Sequence, residues 1–352
     1  MPVRITALAA AMLLIGVVLP SARATVVGET CQGQPATIVG AGRTVVGTPG
    51  DDVIVSGASR FVIADAGNDI ICITPTTNAS SVHIDAGEGD DAVDASPSNA
   101  RALVAELGSG SDRYVGGRGV DIVYSDGLDD WVSSALGADS FNITVTSAVM
   151  DVRGRYDGGP GPAKDILGVA SGTLDLEVEL VGEVAIDGVS AADTVRFEDA
   201  VVRSHRAVLR GNAGDNYLAA AGCNLRVVGG AGNDDIFVSY RETKNPDGQF
   251  KCDHRYRKSR AAGGSGHDRI TGYYGHDRLV GNAGNDTIRG RQSPDLLLGG
   301  PGRDLLQGNV GNDVLRGHSG DDTLIGGPDR DTADGNAGRD HCIAERARRC
   351  ER

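Results

Sequence analysis

"GGSGHDRITGYYGHDRLVGNAGNDTIRG" occupies residues 263–290. Gly stands at 263, 272, 281 and 290, Asp at 268, 277 and 286, and an aliphatic side chain follows two residues after each Asp. The period is nine. Extended outward, the register holds for nine consecutive nonapeptides from Gly263 to Ile343. Their sixth places read Asp268, Asp277, Asp286, Asp295, Asp304, Asp313, Asp322, Asp331 and Asp340. Their eighth places read Ile270, Leu279, Ile288, Leu297, Leu306, Leu315, Leu324, Ala333 and Cys342. Self-similarity of this strictness marks a repeat architecture.

Glycine at places one and four permits the positive φ of a tight turn. The last three residues of each unit alternate as a short strand does, so only the eighth side chain points inward. Two units then form one flattened coil of eighteen residues, and coils stack at about 4.8 Å. The expected fold is all-β: a right-handed parallel β-roll or β-helix solenoid, irregular in the N-terminal half and a regular nonapeptide roll in the C-terminal part.

Stacking places carboxylates above one another. Asp268, Asp286, Asp304, Asp322 and Asp340 fall on one edge, and Asp277, Asp295, Asp313 and Asp331 on the other. Two unit charges at ~5 Å repel by about 3 kcal/mol at an effective dielectric of 20. A hard divalent cation between turns reverses the sign. Ca²⁺ takes six to eight oxygens in flexible geometry, which two Asp and turn carbonyls supply, whereas Mg²⁺ is smaller and sheds water reluctantly. One ion per neighbouring pair gives about seven in this block.

"GGSGHDRIT", "GNAGNDTIR", "GGPGRDLLQ" and "GNVGNDVLR" resemble the hemolysin-type calcium-binding repeats of RTX proteins, with their GGxGxDxUx signature. The resemblance implies a parallel β-roll with Ca²⁺ held between successive turns by the nine sixth-place Asp and backbone carbonyls. Two units depart from it, since Ser293 and Asp329 stand where the fourth Gly belongs. Distorted turns and weaker ions are expected there. Ala333 and Cys342 thin the core at the C-terminal end.

The same grammar recurs upstream, less strictly. "GTPGDDVIV", "ADAGNDIIC", "AGEGDDAVD", "LGSGSDRYV", "GGRGVDIVY" and "GGAGNDDIF" put Asp52, Asp69, Asp91, Asp112, Asp121 and Asp234 at the sixth place, and "GNAGDNYLA" puts Asn216 there. For each of these six Asp, a plain Gly-Asp turn weighs as much as a Ca²⁺ ligand. Between 139 and 205 the glycine turns fade, and "FNITVTSAVMDV" and "TLDLEVELVGEVAI" alternate as strands do. One continuous solenoid accounts for this most simply; a separate β-sandwich over 130–205 is the alternative.

The remaining features bound the setting. "MPVRITALAAAMLLIGVVLPSARA" has a basic start, an apolar run and a small-residue end, the form of a secretory leader cleaved after Ala24. No later stretch reaches ~18 apolar residues, so no membrane span is expected after cleavage. Gly is 52 of 352 residues and aromatics are 4%, which excludes a large globular core. The net charge of −14 opposes nucleic acid as a partner and favours calcium ions. Six cysteines in an exported chain favour disulfides. Their spacing points to 31–72, 223–252 and 342–350, although fifteen pairings are open.

The expected layout is a leader over 1–24, an irregular solenoid with degenerate calcium-type repeats over 25–238, a basic and aromatic insertion over 239–262, the nine-repeat roll over 263–343 and a C-terminal cap over 344–352. No HExxH, no GxSxG and no EF-hand loop occurs. The expected protein is therefore secreted, extracellular or at the cell surface, and non-catalytic. Its partners are calcium and a surface or matrix polysaccharide or protein. The alternative is a polysaccharide lyase or epimerase with a front-half β-helix. Outward places seven and nine carry no Thr or Asx rank, which argues against ice binding. On one face they bring Val280, Leu296, Leu298 and Val314 together, an expected exposed apolar patch.

Overall fold

The computed structural model describes residues 28–75, 81–145, 154–171, 174–186, 189–239 and 258–351. The leader and most of the basic insertion, with Cys252, lie outside the described residues. Among these residues the chain is all strand and turn, wound into about fifteen coils between two parallel sheets. No helix is long and apolar enough to cross a membrane.

The first sheet has fifteen strands, from Thr44–Val46 at one end to His341–Ile343 at the other. The second has eighteen and is open, its end strands Ile38–Val39 and Arg346–Arg348 each paired on one side only. Successive strands of one sheet are a coil apart in sequence, so the pairing reproduces the eighteen-residue offset: Ile270 lies beside Ile288 and Leu306 beside Leu324. Leu279 and Leu297 do the same in the second sheet.

Place eight turns inward in every unit. Ile270, Leu279, Ile288, Leu297, Leu306, Leu315, Leu324 and Ala333 are all 0% exposed, and Cys342 is half-buried at the end of the stack. Full burial of one such aliphatic side chain stabilises by about 1.5–3 kcal/mol. The same column continues forward without a break. Val45, Val62, Ile84, Ala105, Val123, Phe141, Leu167, Ala200, Leu218 and Ile236 lead in register to Ile270. One core cluster runs from Val45 to Ala333.

The described residues of 130–205 belong to this solenoid and form no separate sandwich. Ser140–Val145 pairs in parallel with Val120–Ser125 and with Ile166–Ser171. The alternating stretch adds an antiparallel meander inside the second sheet. Val189–Val195 lies against Gly154–Asp157, then Gly182–Ile186 runs backward, and Leu176–Glu179 passes the sheet on to Arg206–Arg210. The strand Lys258–Ser265 begins within the span expected as insertion and pairs with Asn224–Ala231, joining front and roll in one sheet.

The apolar patch expected from Val280, Leu296, Leu298 and Val314 is corrected. Leu298 is only 8% exposed, and the other three are half-buried. The strands do not stop at place nine; Arg278–Ala283 and Leu296–Pro301 run on into the next unit. They bend there, with Asn282 and Gly300 at φ 76° and 130°, as Val314–Ser319 does at His318 with φ 81°. The bend folds place nine into a groove of about 580 Å³ with Asn282, Pro301 and His318 on its walls. Ser293 and Asp329 hold the fourth-place turn at φ 77° and 95°, which is strained for residues with a Cβ. Register is kept through both units.

Disulfides close both ends. Cys31 binds Cys72, and Cys342 binds Cys350. Cys223 is also disulfide-bonded, while its expected partner Cys252 falls outside the described residues.

Candidate metal centres

Sixth-place Asp sits where the turn re-enters the sheet, which carries its carboxylate against the preceding coil. All nine in the roll are at most 4% exposed. One oxygen of each carboxylate from the second unit of either column onward accepts a hydrogen bond from the backbone N–H of the Asp one coil earlier. On the first sheet's rim Asp268 donates to Asp286, Asp286 to Asp304, Asp304 to Asp322 and Asp322 to Asp340, at 2.8–3.0 Å. On the second sheet's rim Asp277 donates to Asp295, Asp295 to Asp313 and Asp313 to Asp331, at 2.8–2.9 Å. The carboxylates that stacking places above one another are thus threaded on amide donors.

The second oxygen has no such partner. Oδ2 of Asp268, Asp277, Asp286, Asp295, Asp304, Asp313, Asp322, Asp331 and Asp340 is buried with no hydrogen bond. A buried acceptor without a donor costs about 1–3 kcal/mol, more when charged. Burial pushes the Asp295 carboxyl up to about 9, and the neighbouring Asp277 and Asp313 add to it against the amide bond. Asp304 is pushed to about 7, and Asp286, Asp313 and Asp322 to about 6, again chiefly by burial. Amide bonds alone do not hold these rims fully charged near neutrality.

The first-place glycine completes the arrangement. A Cβ on Gly281 would stand 2.1 Å from Asp286 Oδ2 and 2.8 Å from the carbonyl oxygen of Gly299 on the next coil. Two acceptors converge on space that any other residue would fill. Among the described residues no three His, Cys, Asp or Glu side chains gather as a metal cluster. Each candidate centre therefore rests on two carboxylates with main-chain carbonyls, an all-oxygen set that fits a hard cation such as Ca²⁺.

The upstream residues join the same ladders. Asp52 donates to Asp69, Asp69 to Asp91 and Asp91 to Asp112 at 2.7–2.8 Å. Asp234 donates to Asp268 at 2.9 Å, across thirty-four residues. Asp69, Asp91, Asp112 and Asp234 each leave Oδ2 unpaired, and Asp121 leaves Oδ1. Burial pushes Asp112 and Asp121 up to about 8. Asp52 differs: Thr48 donates to its Oδ2 and Thr37 to its Oδ1.

Three members of the ladders were not singled out from sequence. Asp112 donates to Asp130, Asp121 to Asp139 and Asp139 to Asp165, at 2.8–2.9 Å. The signal was present. "SDGLDDWVS" (125–133) and "SALGADSFN" (134–142) continue the register of 107–124 with Asp at place six and Val132 and Phe141 at place eight. Leu128 at the glycine place hides the first, and Ser at place one hides both. Asn216 keeps the ladder with an amide, its N–H donating to Asp234 and its Nδ2 to the Glu198 carbonyl.

Fold and rims together define a parallel β-solenoid with buried carboxylate ladders between its coils. The RTX calcium-binding nonapeptide repeat family matches residues 107–141, 207–236, 262–297, 289–324, 298–333 and 316–346. Over those residues the chain is similar to RTX calcium-binding repeats. Asp52, Asp69 and Asp91 lie outside the matched segments. No curated protein matches the chain.

Proposed function

We propose that the chain is an exported, non-catalytic solenoid that folds on and is stabilised by Ca²⁺, about one ion per neighbouring pair of ladder carboxylates. It serves a structural or adhesive role at a cell surface or in a matrix. The observation that carries this reading is the file of buried, unpaired Oδ2 atoms along both rims. Asp268 to Asp340 and Asp277 to Asp331 would hold the ions in the roll. Bound, the ions would supply the positive charge the rims lack. The disulfides support export, since such bonds persist in oxidising compartments. A ligand that binds only the folded state stabilises it by mass action, so folding would await the higher calcium outside the cell.

The test is circular dichroism of the purified chain during calcium chelation and return. Collapse of the β signal, restored by Ca²⁺ and not by equal Mg²⁺, is the expected result; a spectrum indifferent to chelation would end the proposal. Incubation with uronate polymers checks the non-catalytic part, which product formation would overturn.

A further inference from the structure

Glutamates stand at two breaks in the ladders. After Asp165 the meander intervenes, and the next acceptor on that rim is Glu198, whose Oε2 takes the Asp165 N–H at 2.9 Å. After Asp331 the repeats run out on the other rim. Eighteen residues on stands Arg349, yet the Asp331 N–H still finds a carboxylate, Glu345 Oε2, at 2.8 Å. Donor, acceptor type and distance match the regular links of the roll. The extra methylene of Glu makes up for a chain that arrives fourteen residues later instead of eighteen.

The tail is held so that it imitates one more coil. Arg346–Arg348 pairs in parallel with Thr332, Ala333 and Asp334. The Arg346 N–H donates to the Asp331 carbonyl, as Val314 does to Asp295 within the roll. The Cys342–Cys350 disulfide closes the loop that contains Glu345, and Arg349 grips Asp334 through Nε at 2.6 Å and a second nitrogen. Asp331 is 0% exposed, and its Oδ2 has no hydrogen-bond partner. Asp331 and Glu345 line one cleft of about 390 Å³ with Asn312, Arg330 and Arg346. Among the described residues neither arginine forms an ion pair with Glu345.

We infer that Asp331 and Glu345 form a terminal divalent-cation centre, in which the tail supplies the carboxylate that a tenth repeat would have supplied. The centre rests on the calcium reading above and extends it beyond the nonapeptides. It makes the C-terminal cap a calcium latch. With the ion bound, the strand Arg346–Arg348 covers the last edge of the second sheet, an edge that would otherwise pair with other chains.

The test counts bound Ca²⁺ by native mass spectrometry and follows amide exchange at 346–348 in the full chain. Glu345→Gln keeps an oxygen for the Asp331 N–H and removes the charge. The expected result is one ion fewer than wild type and loss of calcium-dependent protection at 346–348, with the roll's circular dichroism response intact. An unchanged ion count with unchanged protection overturns the centre. A wild-type chain that binds no calcium overturns the underlying reading, so the two failures are distinct. Should Glu345→Gln fail to fold, Glu345→Asp withdraws the charge by one methylene and is expected to bind the last ion at least tenfold more weakly; equal affinity overturns the proposal.

Discussion

The meander region and the roll solve one electrostatic problem in different ways. In the meander Asp157, Glu177 and Glu179 meet arginines of the same chain, while Asp165 stays in the ladder. Arg196 clamps Asp157 through two nitrogens at 2.6 and 2.7 Å, and Arg210 reaches Glu177 and Glu179. In the roll the carboxylates are more deeply buried, and their second oxygens meet no cation of the chain. The first arrangement is internal to the chain and needs no bound ion. On the proposed reading, the second leaves folding open to control by an exchangeable ion. The inward columns differ in the same sense: Tyr156, Phe141 and Phe197 fill the middle of the stack, whereas the roll has single Ile and Leu per unit.

Calcium removal should break the two regions apart, and it is the largest effect expected. One site at a hundred times its dissociation constant contributes about 2.7 kcal/mol, roughly a hundredfold in opening equilibrium. Hydrogen exchange in chelator should therefore accelerate by about that factor or more across 263–343, with much less change in 154–171 and 194–210. Uniform acceleration along the chain would erase the distinction.

The pH dependence sharpens it. Folded Asp295 is pushed up to about 9 and Asp112 and Asp121 to about 8, chiefly by burial, from an ordinary value of 3.8. Between these limits the metal-free folded chain holds more protons than the unfolded one, so its stability is full below about 4 and falls as pH rises through the folded values. In chelator the melting temperature should be higher at pH 5 than at pH 8. With excess calcium the order should reverse, because the cation displaces those protons. Calorimetric scans at both pH values decide this, and a chelated chain that melts higher at pH 8 contradicts it.

Two substitutions probe the regions singly. Leu306→Ala, at a fully buried place eight, should cost about 2–5 kcal/mol in calcium, read by denaturant titration. Arg196→Met leaves Asp157 without its clamp. The Arg196 side chain is 46% exposed, and screening holds the loss to about 1–2 kcal/mol. That loss should be the same with and without calcium; a calcium-dependent loss would mean that the meander shares the roll's mechanism.

Much of this was legible in the residues. The inward place eight and the two files of Asp follow from a period of nine, because alternation and coil length are local consequences of it. Asp130 and Asp139 were legible too, at eighteen residues from Asp112 and Asp121, but Leu128 and the Ser at first places broke the glycine pattern that marks the register. The meander is legible as strand and not as a reversal, since side chains alternate with period two in parallel and antiparallel strands alike. The apolar patch failed because the bend at place two is a property of backbone φ, carried by Asn and His as well as by glycine.

The sequence by itself determined the coil, its inward column and which carboxylates belong to a rim, since each depends on offsets within eighteen residues. Tertiary structure alone decided which carboxylate follows which across the breaks: Asp234 before Asp268, Asp165 before Glu198, Asp331 before Glu345. A hydrogen bond between coils depends on which chain lies alongside, and an insertion or a tail alters sequence distance without altering that neighbour.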